Sequence, residues 1–260
     1  RAEQPGQQTA ALVPEIVTTA LDKLPIPKRM RWGDLDAQFV RPVQWLVLLF
    51  GDEVIDTEIL CTRSSRETRG HRFHHSDSLY IAEPAGYAPL LESEGHVIAD
   101  FDTRREAVRA QVLEAGEKLG GEAVIDEALL DEVTAMVEWP KAIAGNFEER
   151  YLEVPAEALI LTMKTNQKYF HVVDANGKLM PHFITVANID SKNPDVVRDG
   201  NERVIRPRLA DAEFFWTQDR KQKLDRHIDK LKTILFEKEL GTLHDKTERV
   251  AQLAGRIATD

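Results

Sequence analysis

"KYFHVVDANGKLMPHFITVANI", residues 168–189, decides how this chain folds. Two runs rich in β-branched and aromatic residues flank Asn176-Gly177. That pair is favoured in two-residue hairpin turns because both central residues need positive φ. The stretch predicts an antiparallel hairpin. Pro181 has no N–H to donate, which predicts an edge position or a bulge in the second strand.

Working outward, "PAEALILTMK" (155–164) predicts a helix opened by proline,. Residues 126–138 and 103–119 carry helical patterns, with Asp126 and Thr103 as N-caps and Trp139-Pro140 as a stop,. "HVIADF" (96–101) predicts a strand, and "PAGYAPLLESEG" (84–95) a short helix closed by Gly95,. "FVRPVQWLVLLF" (39–50) and "EVIDTEIL" (53–60) meet at Gly51-Asp52 and predict a hairpin with one buried face,. Ile16, Val17, Ala20, Leu21 and Leu24 predict a helix over 9–24, ended by Pro25 and Pro27,. From about 194 the strand signals stop. Leu224, Ile228, Leu231, Ile234 and Leu235 then follow helical spacing, and "LGTLHDKTERVAQLAGRIATD" (240–260) predicts the opening helix of a further domain,. The expected class is α/β (α+β): a mixed, largely antiparallel sheet with hairpins and packed helices, then a helical segment. The expected division is a helical lead-in at 1–30, the sheet domain at 31–200 and a helical connector with the start of another domain at 201–260.

Of the 260 residues, 42% are hydrophobic and 30% charged, the composition of a soluble globular chain with a real core,. No apolar run approaches the ~18 residues that span a bilayer. The polar start "RAEQPGQQTA" lacks both a signal peptide and an initiator methionine, so a piece of a longer protein is expected,. Cys61 is the single cysteine. It allows no internal disulfide, argues against a thiolate zinc site and fits a reducing, cytoplasmic setting. A formal net charge of −10 opposes nonspecific nucleic-acid binding, so any such contact must be local,.

One local basic patch exists. "TRSSRETRGHRFHH" (62–75) spaces Arg63, Arg66, Arg69 and Arg72 by three and adds His71, His74 and His75. An extended polyproline-like loop would return each arginine to one side, making a row suited to phosphate oxygens. The competing reading is a solvated loop whose arginines pair with carboxylates elsewhere. The adjacent His74-His75 cannot both face one metal ion from a regular strand, and the arginines repel a cation. His244-Asp245 has the form of a histidine–aspartate metal pair, although an isolated pair of this kind is usually a surface feature,. No GxxxxGK[ST] loop, GxGxxG turn or GxSxG elbow occurs, and no catalytic residue is assigned,.

A second charged stretch, "NERVIRPRLADAEFFWTQD" (201–219), threads Asp211 and Glu213 among aromatics behind Arg203, Arg206 and Arg208. Pro207 predicts the first turn of a helix running to about 218, with Asn201 capping a shorter turn before it. Phe215 and Trp216 are expected to be buried, and the arginines are expected to neutralise Asp211 and Glu213 as structural ion pairs.

"LPIPKRMRWG" (24–33), "FVRPVQWLV" (39–47), "TRSSRETRGHRF" (62–73), "VEWPKAIAGNF" (137–147), "VPAEALILTMKTNQKYF" (154–170) and "GNERVIRPRLADAEFFW" (200–216) resemble the beta subunit of the bacterial two-subunit glycyl-tRNA synthetase. The resemblance runs through nearly the whole chain. Cys61 stands where glycine is expected. The resemblance implies the N-terminal third to half of a beta chain in an α2β2 glycine–tRNA ligase. The alpha subunit would make glycyl-adenylate with ATP and Mg2+, and no cofactor is expected on this chain. The beta chain, paired with a second beta, would recognise tRNA-Gly in the cytoplasm. Arg63, Arg66, Arg69, His71 and Arg72 are the candidate tRNA contacts. The implied fold is that of the tRNA-interacting domain of the phenylalanyl-tRNA synthetase beta chain, followed by a histidine–aspartate-type domain. The alternatives are an editing-type aminoacyl-tRNA hydrolase and a metal-dependent phosphohydrolase fragment.

Overall fold

Helix α1 (Thr9–Asp22) comes first in this computed structural model, which describes residues 6–259. The start of the expected lead-in, residues 1–5, lies outside the described residues. Helix α1 ends short of Leu24, ahead of Pro25 and Pro27,. β1 (Met30–Arg31) and β2 (Gln38–Phe39) then form a small antiparallel pair.

The apolar run at 39–50 is not one strand. Its hydrogen-bonding partner changes at Leu48, whose N–H reaches Ser65 while its carbonyl takes the N–H of Ile55. Before that point, β3 (Leu46–Val47) lies in one sheet. After it, β4 (Leu49–Phe50) turns through Gly51, at φ +61°, into antiparallel β5 (Glu53–Val54). The expected long hairpin therefore exists only at its tip. β6 (Glu58–Ile59) and β7 (Thr62–Ser65) pair antiparallel, and β3 joins β7 in parallel. β8 (Glu67–Arg69) pairs with β9 (Ser78–Tyr80). Residues 62–69 are thus built of two short strands, and 70–75 of a turn in which the His74 and His75 N–H groups return to the His71 carbonyl, not of polyproline helix.

Leu60 and Cys61 make the tight β6–β7 turn with φ of +54° and +58°. Side chains other than Asn and Gly adopt this region at a cost. Cys61→Gly is expected to raise stability by about 0.5–1 kcal/mol, the left-handed strain less the extra freedom of glycine in the unfolded chain. Urea unfolding midpoints check this, and an unchanged or lower midpoint would show that the turn is unstrained.

A turn at Pro84–Gly86 leads into α2 (Tyr87–Ser93). No strand forms at 96–101. Val97 donates back to Leu91, Ile98 donates to Glu138, and the Asp100 carboxylate accepts from the Thr103 N–H. Asp100, not Thr103, therefore caps α3 (Phe101–Lys118),. β10 (Glu122–Ala123) follows, and then α4 (Glu127–Met136), capped by Asp126 through the Leu129 N–H. β11 (Lys141–Asn146), a tight turn at Glu149–Glu153 and α5 (Ala156–Thr162) come next. The helix then widens over Met163–Gln167 and stops at Lys168, φ +60°.

β12 (Phe170–Val173) and β13 (Leu179–Ala187) form the expected hairpin. Its turn is wider than the two-residue form. The Asp174 N–H donates to the Lys178 carbonyl, the Asp174 carboxylate takes the N–H groups of Asn176 and Lys178, and Gly177 sits at φ +76°. The sheet order is β10-β12-β13-β11, all antiparallel, which places Pro181 in an interior strand. The register shift opposite it, between His171 and Val173, is the bulge that accommodates it,.

Alternation along β13 builds a core on each face of this sheet. Ile184 points with Phe170 and Val172 toward Val108, Val112, Leu130 and Val133 of α3 and α4. Phe183 points the other way, toward Tyr151, Leu159, Met163, Tyr169, Ile205 and Leu209. The last two belong to α6 (Pro194–Asp219), one continuous helix. Its proline at the first turn is Pro194, and Pro207 lies inside it,. Burial of Ile205 and Leu209 on either side holds the helix together through Pro207 against the loss of a backbone bond,. Asn201 is no cap: its amide donates to the Val197 carbonyl and its oxygen accepts from the Tyr169 hydroxyl. The division expected at 200–201 falls inside this helix.

Past α6, tight turns at Leu224–Thr233 lead to β14 (Leu235–Glu237) and β15 (Gly241–Thr242), and then to α7 (Leu243–Thr259). A hairpin thus interrupts the expected run of helices. No described helix is long and apolar enough to cross a membrane.

Candidate functional site

Arg63 lies in β7 and Arg69 in β8, Arg66 between those strands and Arg72 in the turn after β8, and their different partners separate their roles. The Arg63 guanidinium forms a bidentate pair with Asp56 at 3.0 and 2.8 Å, which raises its pKa through that bond and the attraction of the carboxylate. Arg66 binds the carbonyls of Ile81, Ala82 and Asp52 and lies over the Tyr80 ring, 5.4 Å from its centre. These two are largely engaged within the chain. Arg69 gives one bond to the Ser76 carbonyl at 3.3 Å and otherwise faces solvent. Arg72 is exposed, and no hydrogen bond or ion pair engages its guanidinium among the described residues.

His71 is not at the surface. It is 2% exposed, and its ring spans two segments: Nε2 donates to the Asn188 carbonyl at 2.7 Å and Nδ1 accepts from the Phe73 N–H at 3.3 Å. Both ring nitrogens are used in the tautomer protonated on Nε2. The Asn188 side chain in turn accepts from the N–H groups of Glu138 and Trp139. His74 packs between His71 and His96 and accepts from the Asp190 N–H. Burial, together with His71 and His96, lowers its pKa. His71 and His74, with His96, therefore form a joint between the strand module and the main sheet.

Arg69 and Arg72 line a cavity of about 540 Å3 together with Trp45, Glu67, His75 and Ser76. Trp45, Phe73 and Tyr80 are exposed around the same strands. Cationic side chains interleaved with exposed aromatics fit a nucleic-acid strand, whose phosphates take the charge and whose unpaired bases stack. Trp45 was not legible as a site residue because it sits in an apolar run that reads as a buried strand. The available signal was the nearby Pro42, which cannot donate to a ladder and so marks where the run stops being regular,.

The second charged stretch does not neutralise itself. Arg206 pairs with Glu148 at 2.6 Å and Glu213 with Arg150 at 3.3 Å, both partners lying at the turn before α5. Burial is the largest influence on the Glu148 carboxyl and raises its pKa, but its own backbone N–H, then Arg206 and Arg150, together bring it below the ordinary value. Arg203, Arg208 and Asp211 are exposed and make no ion pair among the described residues. Phe215 is 61% and Trp216 38% exposed, contrary to expectation. Phe215 falls roughly 80–120° away from the line set by Ile205 and Leu209. Trp216 falls on that line, but two turns past Leu209, beyond the residues packed in this core,.

At the start of α7, His244, Asp245 and Glu248 bring ligand-type atoms within 4.8 Å of one another. Asp245 Oδ2, however, accepts from both the N–H and the hydroxyl of Thr242, the bonds of a local turn at the helix start,.

The family model described as "Glycyl-tRNA synthetase beta subunit" matches residues 1–260. The chain is 55% identical over 258 residues to a glycine–tRNA ligase beta subunit of Hahella chejuensis, with 99% of the chain aligned. It is 56% identical over 253 residues to that of Stutzerimonas stutzeri and 54% over 259 residues to that of Marinobacter nauticus. It spans 37% of the length of each of these relatives.

Proposed function

The chain belongs to the glycyl-tRNA synthetase beta-subunit family, and from that premise we propose that it is the tRNA-contacting and assembly part of a glycine–tRNA ligase. The ligase joins glycine to tRNA-Gly at the expense of ATP. In this reading the alpha subunit binds ATP and Mg2+ and makes the adenylate, two alpha and two beta chains assemble, and the enzyme works in the cytoplasm. In the same reading the mixed α/β region corresponds to the tRNA-interacting domain of the phenylalanyl-tRNA synthetase beta chain, and the helical segment after it leads into a histidine–aspartate-type domain.

The observation that carries the reading is the placement of Arg72, which makes no bond among the described residues, and Arg69, held by one bond to the Ser76 carbonyl, beside exposed aromatics on one surface of an otherwise acidic chain. Confinement of the basic surface suits a specific contact and disfavours nonspecific binding. In the complete ligase, Arg69→Ala and Arg72→Ala are each expected to reduce the slope of log affinity for tRNA against log salt. The reduction is up to ~0.9 for a phosphate on a duplex and ~0.7 on a single strand. Arg63→Ala, whose guanidinium is held by Asp56, leaves the slope unchanged. An unaltered slope in the Arg69/Arg72 double variant overturns the reading.

The division of labour has its own check. Glycine-dependent exchange of pyrophosphate into ATP should stay at background with this chain alone and appear when the alpha chain is added. Exchange by this chain alone would refute it.

A further inference from the structure

The cavity beside Arg69 and Arg72 holds more chemistry than phosphate contact needs. Its volume of about 540 Å3 is that of a small-molecule site rather than a flat charged surface,. A paired helix turns its bases inward and cannot enter such a space, whereas an unpaired nucleotide can swing into it.

Trp45 and Thr68 line this cavity and also an adjoining apolar one of about 420 Å3, walled by Leu46, Leu49 and Ile81. The indole thus stands in the partition between a polar chamber and an apolar one. At 46% exposed, it offers surface for a base to stack on,.

In β8, Thr68 is buried and its neighbours Glu67 and Arg69 are exposed, and all three line the cavity. The Glu67 carboxylate makes no ion pair among the described residues, although two guanidinium groups share its wall. An ionised carboxylate only accepts hydrogen bonds, and its two oxygens can take two parallel donors. Guanine alone among the four bases presents two adjacent donors, N1–H and the N2 amino group, on its Watson–Crick edge. Adenine and cytosine set one donor beside an acceptor, and uracil sets one donor between two acceptors.

We propose that this cavity receives one unpaired guanine nucleotide of the RNA, with the base against Trp45, its Watson–Crick edge on Glu67 and its phosphate on Arg69 and Arg72. The proposal rests on the RNA-contact reading above and adds to it a site that selects a base.

The test uses the complete ligase with 8-azido-GMP and 8-azido-AMP as photoaffinity probes, mapped by peptide mass spectrometry. Equilibrium dialysis measures GMP, AMP, CMP and UMP in parallel. The guanine probe should label peptides bearing Trp45 or the 67–76 segment, and GMP should compete with that labelling while AMP, CMP and UMP do not. Glu67→Gln replaces one acceptor with a donor that opposes the guanine edge. It should weaken GMP competition about tenfold, within the range of a single bidentate base contact. Trp45→Leu should weaken it as well. Labelling of the cavity by both probes alike, or GMP competition unchanged in Glu67→Gln, overturns the guanine site. If the salt slope for tRNA still falls in the Arg69 and Arg72 variants, the RNA-contact reading survives that failure. If the slope is also unmoved, both fall together.

Discussion

Phe183→Ala is expected to destabilise the chain by about 4 kcal/mol, near the middle of the range for emptying a fully buried aromatic site. Phe183 has no exposed surface. Its ring stacks on Tyr169 with centroids 4.4 Å apart and planes 13° from parallel, which adds to the loss beyond buried area,. Directly across the sheet it is paired with Gly145, and a Cβ on that glycine would lie 2.3 Å from the ring. The absence of a side chain at Gly145 is what makes room for Phe183. No side chain at position 145 can therefore move in to fill the hole, and Leu159, Met163, Ile205 and Leu209 are already packed around it,. Urea unfolding followed by circular dichroism measures the loss. A fall below about 1 kcal/mol would mean that the second core collapses freely around the gap.

His71→Ala is expected to cost about 3 kcal/mol, combining a buried cavity with two polar groups stripped of their partner. The Asn188 carbonyl and the Phe73 N–H both bond to the His71 ring. The neighbouring Asn188 side chain holds Glu138 and Trp139, and His74 holds the Asp190 N–H, so the joint is a connected network. Its loss should therefore be local before it is global. Amide exchange at Phe73, Glu138, Trp139 and Asp190 should quicken while the β11–β13 ladder stays protected. Because His71 is buried, the salt slope of RNA binding should not change with this variant. Exchange that rises uniformly across the sheet would show that the joint is not a separate unit.

Much of the main domain was legible from local chemistry. The β12–β13 hairpin, the Asp126 cap of α4, the proline opening α5 and the helix ended ahead of Pro25 all follow from signals a few residues long. The failures share a cause. "HVIADF" has strand composition, but its N–H groups are taken one at a time by Leu91 and Glu138, so no ladder forms. The 39–50 run is apolar enough for a long strand, yet its two halves answer to different partners. Phe215 and Trp216 are residues whose type predicts burial, but Phe215 is out of phase with Ile205 and Leu209, and Trp216, in phase, lies past the end of the core they pack into,. The candidate site shows the same pattern. The arginines of the 62–75 stretch were visible as a set, but which of them are free depends on Asp56 and on the carbonyls of Asp52, Ile81 and Ala82.

The sequence by itself determined the family, the mixed α/β class, most helices and the location of the one basic stretch, because each rests on residue identity or on periodicity within a few turns. Tertiary structure alone decided that Arg69 and Arg72 face a cavity while Arg63 and Arg66 are tied down. It also decided that His71 is a buried joint and that Trp45 stands beside the arginines. The reason is geometric. A strand sends neighbouring side chains to opposite faces, and whether a face meets water or another segment is fixed by contacts between residues far apart in the chain: Arg66 with Ile81, His71 with Asn188, and Trp45 with the wall shared by Arg69 and Arg72,.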